Sequence, residues 1–238
     1  MPRNGTGTSK IRRFVPLHTG DALILRTYPL GEADRIVVFL TRDRGKKRGV
    51  AKNARRSVRR FGGALEPLTE TRVAYFESAR RELVGLNYAE AVRSPLGVAG
   101  GGLGAESTAD ALDYVGYFAE LLDECAQDSD VDDRLYRLGA SVLDGFAAGV
   151  PIESLARYFE YWLLRLQGVY PEHLDALSPG AQAFVRAARR VAPQAVATVS
   201  VDGATLRELE YVHRGLIAMH LEKTLRSDRV LRDLRRHA

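Results

Sequence analysis

One cysteine, Cys125, occurs in 238 residues, so the chain can form neither an intramolecular disulfide nor a cysteine-based zinc site, and a reducing compartment is expected. Long hydrophobic runs are also missing. None approaches the roughly 18 residues that a membrane span needs, and the opening MPRNGTGTSKIRRF carries no apolar stretch like that of a signal peptide. A cytoplasmic protein with no membrane contact is the expectation. At 45% hydrophobic and 27% charged residues the composition excludes collagen-like, disordered and disulfide-scaffold classes. A chain of this length buries well over half of its unfolded surface, enough to hold a core without metal.

Acidic residues are scarce in one window. From Arg42 to Arg60 ten Lys/Arg accompany a single acid, Asp43, a local net of +9, which leaves 25 basic and 29 acidic residues elsewhere. The net charge of +5 therefore describes a near-neutral body with one positive patch.

The order of the chain predicts two parts. Residues 1–16 are Gly/Thr/Arg-rich without periodicity and read as a basic arm, with Arg3, Lys10, Arg12 and Arg13. Short β-branched or aliphatic segments follow at Ala22–Tyr28, Arg35–Thr41, Arg48–Lys52, Leu68–Phe76 and Glu82–Val92, separated by turn residues. Five short strands in about 75 residues without a long helix suggest an OB-type barrel over residues 17–95. The stretch GVAGGGLG marks a linker over 96–106. It lacks GxxxxGK[S/T] and a βα setting, so it is no phosphate-binding loop. From Ser107 the periodicity is helical to the end, with Ser107, Asp130 or Asp132 as caps, Pro151 in a first turn, and helices at Pro179–Val191 and Ala204 to about Arg226. Leu155, Tyr158, Phe159, Trp162, Leu163 and Leu166 form one apolar stripe, read as core. In the last helix Leu206, Leu209, Val212, Leu216 and Met219 are expected inward. The predicted class is α+β: a five-stranded OB-type barrel (17–95), then an all-α domain (107–238).

A catalytic site is not evident. GxSxG is absent, and Cys125, among Leu121, Leu122 and Ala126, reads as an inert buried thiol. His213 and His220 share a helix face about 10.5 Å apart along the axis, too far to share one metal; both read as structural or partner-facing. The acids Asp123, Glu124, Asp128, Asp130, Asp132 and Asp133 fit capping and solvation better than a cation site. No metal, cofactor or enzymatic activity is expected.

The informative stretch runs from Gly45 to Pro67. Its first part alternates like a strand; the second, Asn53 to Gly63, combines four Arg with small residues. Ten cations with one acid repel one another, a cost that a merely solubilising surface avoids, so a polyanion is the expected ligand. On a barrel rim such groups suit backbone phosphates, with counterion release driving affinity and little sequence preference. Phe39, Phe61, Tyr75 and Tyr88 are candidates for base stacking, with core packing as the competing role for each.

Residues 23–67, LILRTYPLGEADRIVVFLTRDRGKKRGVAKNARRSVRRFGGALEP, resemble the N-terminal barrel of the DNA repair protein RecO family. In that pattern the first strand carries an Arg, a Gly-Glu-(Ala/Ser)-Asp turn precedes the second, and a Gly-x-x-Arg-x-Val-Ala-Lys-Gly-Ala-Arg strand and loop leads into Gly-Ala-Leu-x-Pro. These fall on Arg26, Gly31 to Asp34, Gly45, Arg48, Val50 to Lys52, Ala54, Arg55, Gly63 to Leu65 and Pro67. LARYFEYWLLRLQG (155–168) and the tail around LRSDRVLRDL (225–234) look like later family segments. There are two departures. The four zinc cysteines of many members are absent from Gly168 to Gly180, which places the chain with zinc-free members, and Asn53 stands where Gly is favoured.

The resemblance implies a recombination mediator, not an enzyme. Such a protein binds single- and double-stranded DNA, anneals complementary strands, contacts the acidic C-terminal tail of single-stranded DNA-binding protein, and works with RecR to load RecA. The expected phosphate-binding residues are Arg26, Lys46, Lys47, Arg48, Lys52, Arg55, Arg56, Arg59 and Arg60, and the candidate seat for the acidic tail is Arg157, for which an intrachain pair with Glu153 or Glu160 is the favoured competing role. Competing readings are an RNA-binding or RNA-chaperone protein on the same barrel, an adaptor whose Arg-rich loop binds an acidic protein, and, more distantly, a metal-dependent enzyme.

Overall fold

The computed structural model describes residues 16–78, 80–95, 97, 105–223 and 225–227. Almost all of the expected arm, most of the glycine-rich linker and the tail beyond Ser227 lie outside the described residues. Five strands, β1 (Leu17–Leu30), β2 (Asp34–Thr41), β3 (Gly45–Ala51), β4 (Glu70–Phe76) and β5 (Val84–Arg93), close into a barrel of order β1-β2-β3-β5-β4, with β4 returning to β1. All neighbours are antiparallel except β3 and β5. Closure depends on β1, whose 14 residues pair first with β4 and then with β2, with a register slip between Ile24 and Arg26 that lets the strand bend.

Alternation along these strands sorts side chains between two cores. Ala22, Ile24, Val37, Phe39, Val73 and Tyr75 fill the barrel, while Leu23, Leu25, Val38 and Leu40 face outward into the helical region. Strands β1 and β2 are thus apolar on both faces, which is why ALILRTY and RIVVFLT read as continuous apolar runs. A four-residue helix, α1 (Val58–Phe61), interrupts the expected Asn53–Gly63 loop because Phe61 inserts into the barrel core with Ala64 and Leu65.

The helical region comprises α2 (Ala105–Cys125), α3 (Asp133–Ala147), α4 (Ile152–Leu166), α5 (Pro179–Ala188), a 3-10 turn (Pro193–Thr198) and α6 (Gly203–Leu221). Helix α2 begins ahead of Ser107. Asp132 caps α3 by accepting from the amides of Arg134 and Leu135, and Pro151 is the N-cap of α4, one position before the expected first turn. Every residue of α4 from Ser154 to Tyr161 is buried, so it is the central helix, with α2, α3, α5 and α6 packed around it.

Helix α6 differs from expectation. Its buried line runs through Thr205, Leu209, Glu210, His213 and Ile217, while Met219 is exposed and Leu206, Val212 and Leu216 are half-buried. The rotation follows from Glu160 on α4, a fully buried carboxylate that draws the polar side of α6 inward through His213. The helix ends at Leu221, because Glu222 takes a left-handed conformation at φ 53°.

The two parts meet along β1, β3 and the α2–α3 connection. Gly45 lies at φ 67°, and a Cβ there would stand 2.2 Å from the Asp130 carbonyl oxygen, so only glycine allows the approach. Beside it the Ser129 amide donates to the Lys46 carbonyl at 3.0 Å.

Candidate nucleic-acid interface

The ten cations of the Arg42–Arg60 window divide by register. On β3, Lys46 lies opposite Leu40 and so shares the outward face that packs on the helices. Its Nζ donates to the Asp123 carbonyl at 2.6 Å and lies 3.3 Å from the Asp123 carboxylate. Lys47 Nζ donates to Glu77 Oε1 at 2.8 Å and to Ser129 Oγ at 3.1 Å. Arg26, opposite Val38, reaches Asp123 at 3.3 Å, Glu120 at 3.9 Å and Glu124 at 4.0 Å, and donates to the Tyr28 hydroxyl at 3.0 Å. Burial disfavours its charge, but Tyr28 and Asp123 more than restore it, raising its pKa. These three residues, expected on phosphates, instead join the barrel to the helical region. Arg42 pairs with Asp133 at 3.1 Å and Arg44 with Asp43 at 3.8 Å.

The other cations emerge where the chain turns from β3 into α1. Asn53 takes φ 55°, the left-handed conformation that the family's glycine would adopt freely. Its amide donates to Asp34 Oδ1 at 2.8 Å, and its carbonyl accepts from the amides of Arg56 and Ser57. The Arg55 amide and guanidinium bind the carbonyls of Ala33 and Glu32 on the β1–β2 turn. Buried Phe61 fixes the far end, with the Arg60 guanidinium 4.7 Å over its ring and Arg60 Nε donating to the Asn87 carbonyl at 2.8 Å.

The backbone therefore holds the segment in shape while its charge stays uncompensated. Among the described residues Lys52, Arg55, Arg56, Arg59 and Arg60 have no carboxylate partner, and Arg48 has only Asp128 at 4.0 Å. Arg80 and Arg81 are exposed on the β4–β5 connection, and Arg81 lines one cleft with Lys52 and Arg60. They were missed because they lie outside the dense window, although their adjacency in sequence is a signal.

Three of the four proposed stacking aromatics are core: Phe39, Phe61 and Tyr75 are at most 1% exposed, and only Tyr88 is half-buried. Alternation places the first and third inside the barrel. Phe76, at the end of β4, is an exposed ring beside Lys52 and Arg60.

Arg157 is 3% exposed and cannot reach an acidic tail. It donates to Glu160 Oε1 at 2.7 Å and pairs with Glu210 at 3.3 Å. Glu160 also accepts from the Tyr117 hydroxyl at 2.8 Å and lies 3.0 Å from His213 Nδ1, whose Nε2 is 3.2 Å from the Tyr170 hydroxyl. His213 is thus structural, whereas His220 is exposed beside Gln167. Burial pushes the Cys125 thiol up to about 12, which keeps it an unreactive thiol near neutral pH. Among the described residues no group of three or more His, Cys, Asp or Glu is placed to hold a metal, and no helix is long and apolar enough to cross a membrane.

Residues 16–95 match the family model described as Recombination protein O N terminal, and residues 106–173 the one described as Recombination protein O C terminal. The chain is 38% identical over 171 residues to the DNA repair protein RecO of Koribacter versatilis (strain Ellin345), covering 72% of this chain and 67% of that protein. To the DNA repair protein RecO of Anaeromyxobacter sp. (strain K) it is 40% identical over 154 residues, 65% of this chain and 58% of that protein. To that of Geobacter metallireducens it is 33% identical over 238 residues, 87% of this chain and 93% of that protein.

Proposed function

The chain belongs to the DNA repair protein RecO family, and on that premise we propose that it binds single- and double-stranded DNA through the β3–α1 segment, anneals complementary strands, and acts by binding alone, without catalysis of its own. The observation that carries this reading is the set of uncompensated cations at Lys52, Arg55, Arg56, Arg59 and Arg60, held by backbone contacts on one side of the barrel. Phosphates spaced along either form of DNA release counterions on meeting such a set, which gives affinity without sequence preference. Annealing follows from the same charge: cations that screen two backbones at once lower the repulsion between strands and leave the bases free to pair. The test is strand annealing read by energy transfer between end-labelled complementary oligonucleotides. The wild type accelerates it, and Arg55→Ala/Arg56→Ala/Arg59→Ala/Arg60→Ala loses at least about tenfold in rate. Equal rates for the two proteins overturn the assignment.

Work with RecR and loading of RecA onto strands coated by single-stranded DNA-binding protein complete the proposal. For the acidic tail of that protein, burial of Arg157 moves the seat outward to a groove of about 800 Å³ along α6. The groove combines Leu216, Ile217 and Met219 with exposed Arg207 and with Arg214 and Lys223, which pair with Glu210 and Glu124. Apolar walls with cations at the rim suit an acidic peptide with a hydrophobic end. An acidic tail peptide is expected to bind wild type and to lose about fivefold or more in affinity with Arg207→Ala/Lys223→Ala, while DNA binding stays intact. Unchanged peptide affinity places the tail elsewhere.

A further inference from the structure

A second feature adjoins the cationic segment. Between β3, β5 and the end of β4 lies a cleft of about 850 Å³, with Val50, Phe76 and Leu83 as apolar surface and Lys52, Arg60 and Arg81 as cations. Phe76 is 41% exposed although it sits in a strand of the barrel. Its neighbour Tyr75 points into the core, so alternation turns Phe76 outward. The residue paired with it on β5 is Gly85, and on its other side β1 offers Leu17, itself 49% exposed. Gly85 does not have positive φ, and a Cβ there would meet only Phe76 Cβ, at 3.9 Å. Neither backbone conformation nor packing requires a glycine at that position. The consequence of having one is that no side chain from β5 covers the Phe76 ring, which stays open toward the cleft.

We propose that the Phe76 ring, left open by Gly85 and flanked by Lys52, Arg60 and Arg81, is a stacking platform for an unpaired base of single-stranded nucleic acid. The inference rests on the DNA-binding reading above and deepens it by assigning a preference for single strands. Two physical requirements meet here. An exposed aromatic face accepts any base, because every base has a π-face. Cations on the rim take the phosphates of the same nucleotides, and three of them against the one acid of the cleft, Glu82, leave it net positive. Arg60 ties the cleft to the cationic segment, since it both lines the cleft and binds Asn87 beside Phe61. Duplex bases are already stacked on one another and cannot use the ring, so the platform discriminates by strandedness where phosphate contacts cannot.

The test uses the full chain with a labelled oligothymidylate and a labelled duplex, each over a salt series, and compares Phe76→Ala, Phe76→Trp and Gly85→Val. Phe76→Ala removes the platform, and Gly85→Val covers it without removing a ring or a charge. Each is expected to weaken oligothymidylate binding by about fivefold or more with the salt slope and duplex affinity unchanged, while Phe76→Trp retains binding. Thermal melts accompany each variant; should Phe76→Ala melt early, Gly85→Val decides. Wild-type affinity for oligothymidylate in both variants, or an equal loss on duplex, overturns the platform and leaves the cationic segment standing. Failure of the wild type to bind either oligonucleotide overturns the DNA-binding reading, and the platform with it.

Discussion

Glu160 organises the helical region through its charge. Burial alone would push its pKa up, but Arg157, then His213 and the Tyr117 hydroxyl, hold it below the usual carboxylate value of 4.5. Glu120 is likewise lowered: burial pushes it up, and hydrogen bonds from Ser227 and the Arg226 amide, with Arg26 nearby, outweigh that. A carboxylate with a depressed folded pKa gives the unfolded chain the greater proton uptake, so stability rises with pH across that range. The stabilisation is fully present above about pH 4.5 and is lost as the pH falls through the lower folded values. Glu160→Gln removes the nearer carboxylate of buried Arg157 and leaves it Glu210 alone, and is expected to cost about 3 kcal/mol or more at pH 7. It should also flatten the acid limb of a melting-temperature profile between pH 7 and pH 3, read by thermal denaturation. An acid limb as steep as wild type would mean that other carboxylates govern it. This network is illegible in the sequence because His213 and Glu210 interrupt the hydrophobic period of their helix. Only the buried partner on α4, remote in sequence, explains their direction.

At the scale of elements, β3 is shared between two tasks. Its first half, from Gly45 to Lys47, is held to the helical region, and its second half leads into the exposed segment. Alternation in the GKKRGVA run identifies the strand, but both faces of its first half are occupied, so residue type alone cannot divide Lys46 and Lys47 from Arg48 and Lys52. The five strands are legible from their β-branched runs and turn residues. The short helix α1 is not, since four residues carry no period and Phe61 alone forms it. Gly45→Ala is expected to destabilise the protein by at least about 2 kcal/mol in denaturant titration, because a left-handed residue acquires a Cβ against the Asp130 backbone. Gly63→Ala, with no atom within 4 Å of its Cβ and no positive φ, should fall within about 0.5 kcal/mol of wild type. Equal losses for both would show that the close approach of β3 to the α2–α3 connection contributes nothing.

Across the whole molecule, an excess of acid in the body faces an excess of base on one side of the barrel, and part of that base is neutralised internally. Arg26 and Lys46 on Asp123, with Lys47 on Ser129, hold the two parts together, Lys47 is further neutralised by Glu77 within the barrel, and the cations from Arg48 to Arg60 remain for a polyanion. The density of charge in the window is readable from the sequence; its division is not, because carboxylates about 30 to 100 residues away along the chain supply the partners. The measurement that tests this division most directly is the salt dependence of single-stranded DNA binding by fluorescence anisotropy. It compares wild type, Arg55→Ala/Arg56→Ala/Arg59→Ala/Arg60→Ala, and Arg26→Gln. The fourfold variant is expected to bind more weakly, with a slope of log affinity against log salt shallower by roughly 0.7 for each phosphate no longer neutralised, near 3 for the four arginines together. Arg26→Gln is expected to melt at lower temperature with the wild-type slope. A wild-type slope in the fourfold variant, or a shallower slope in Arg26→Gln, would contradict the assignment of the exposed segment as the DNA-binding surface.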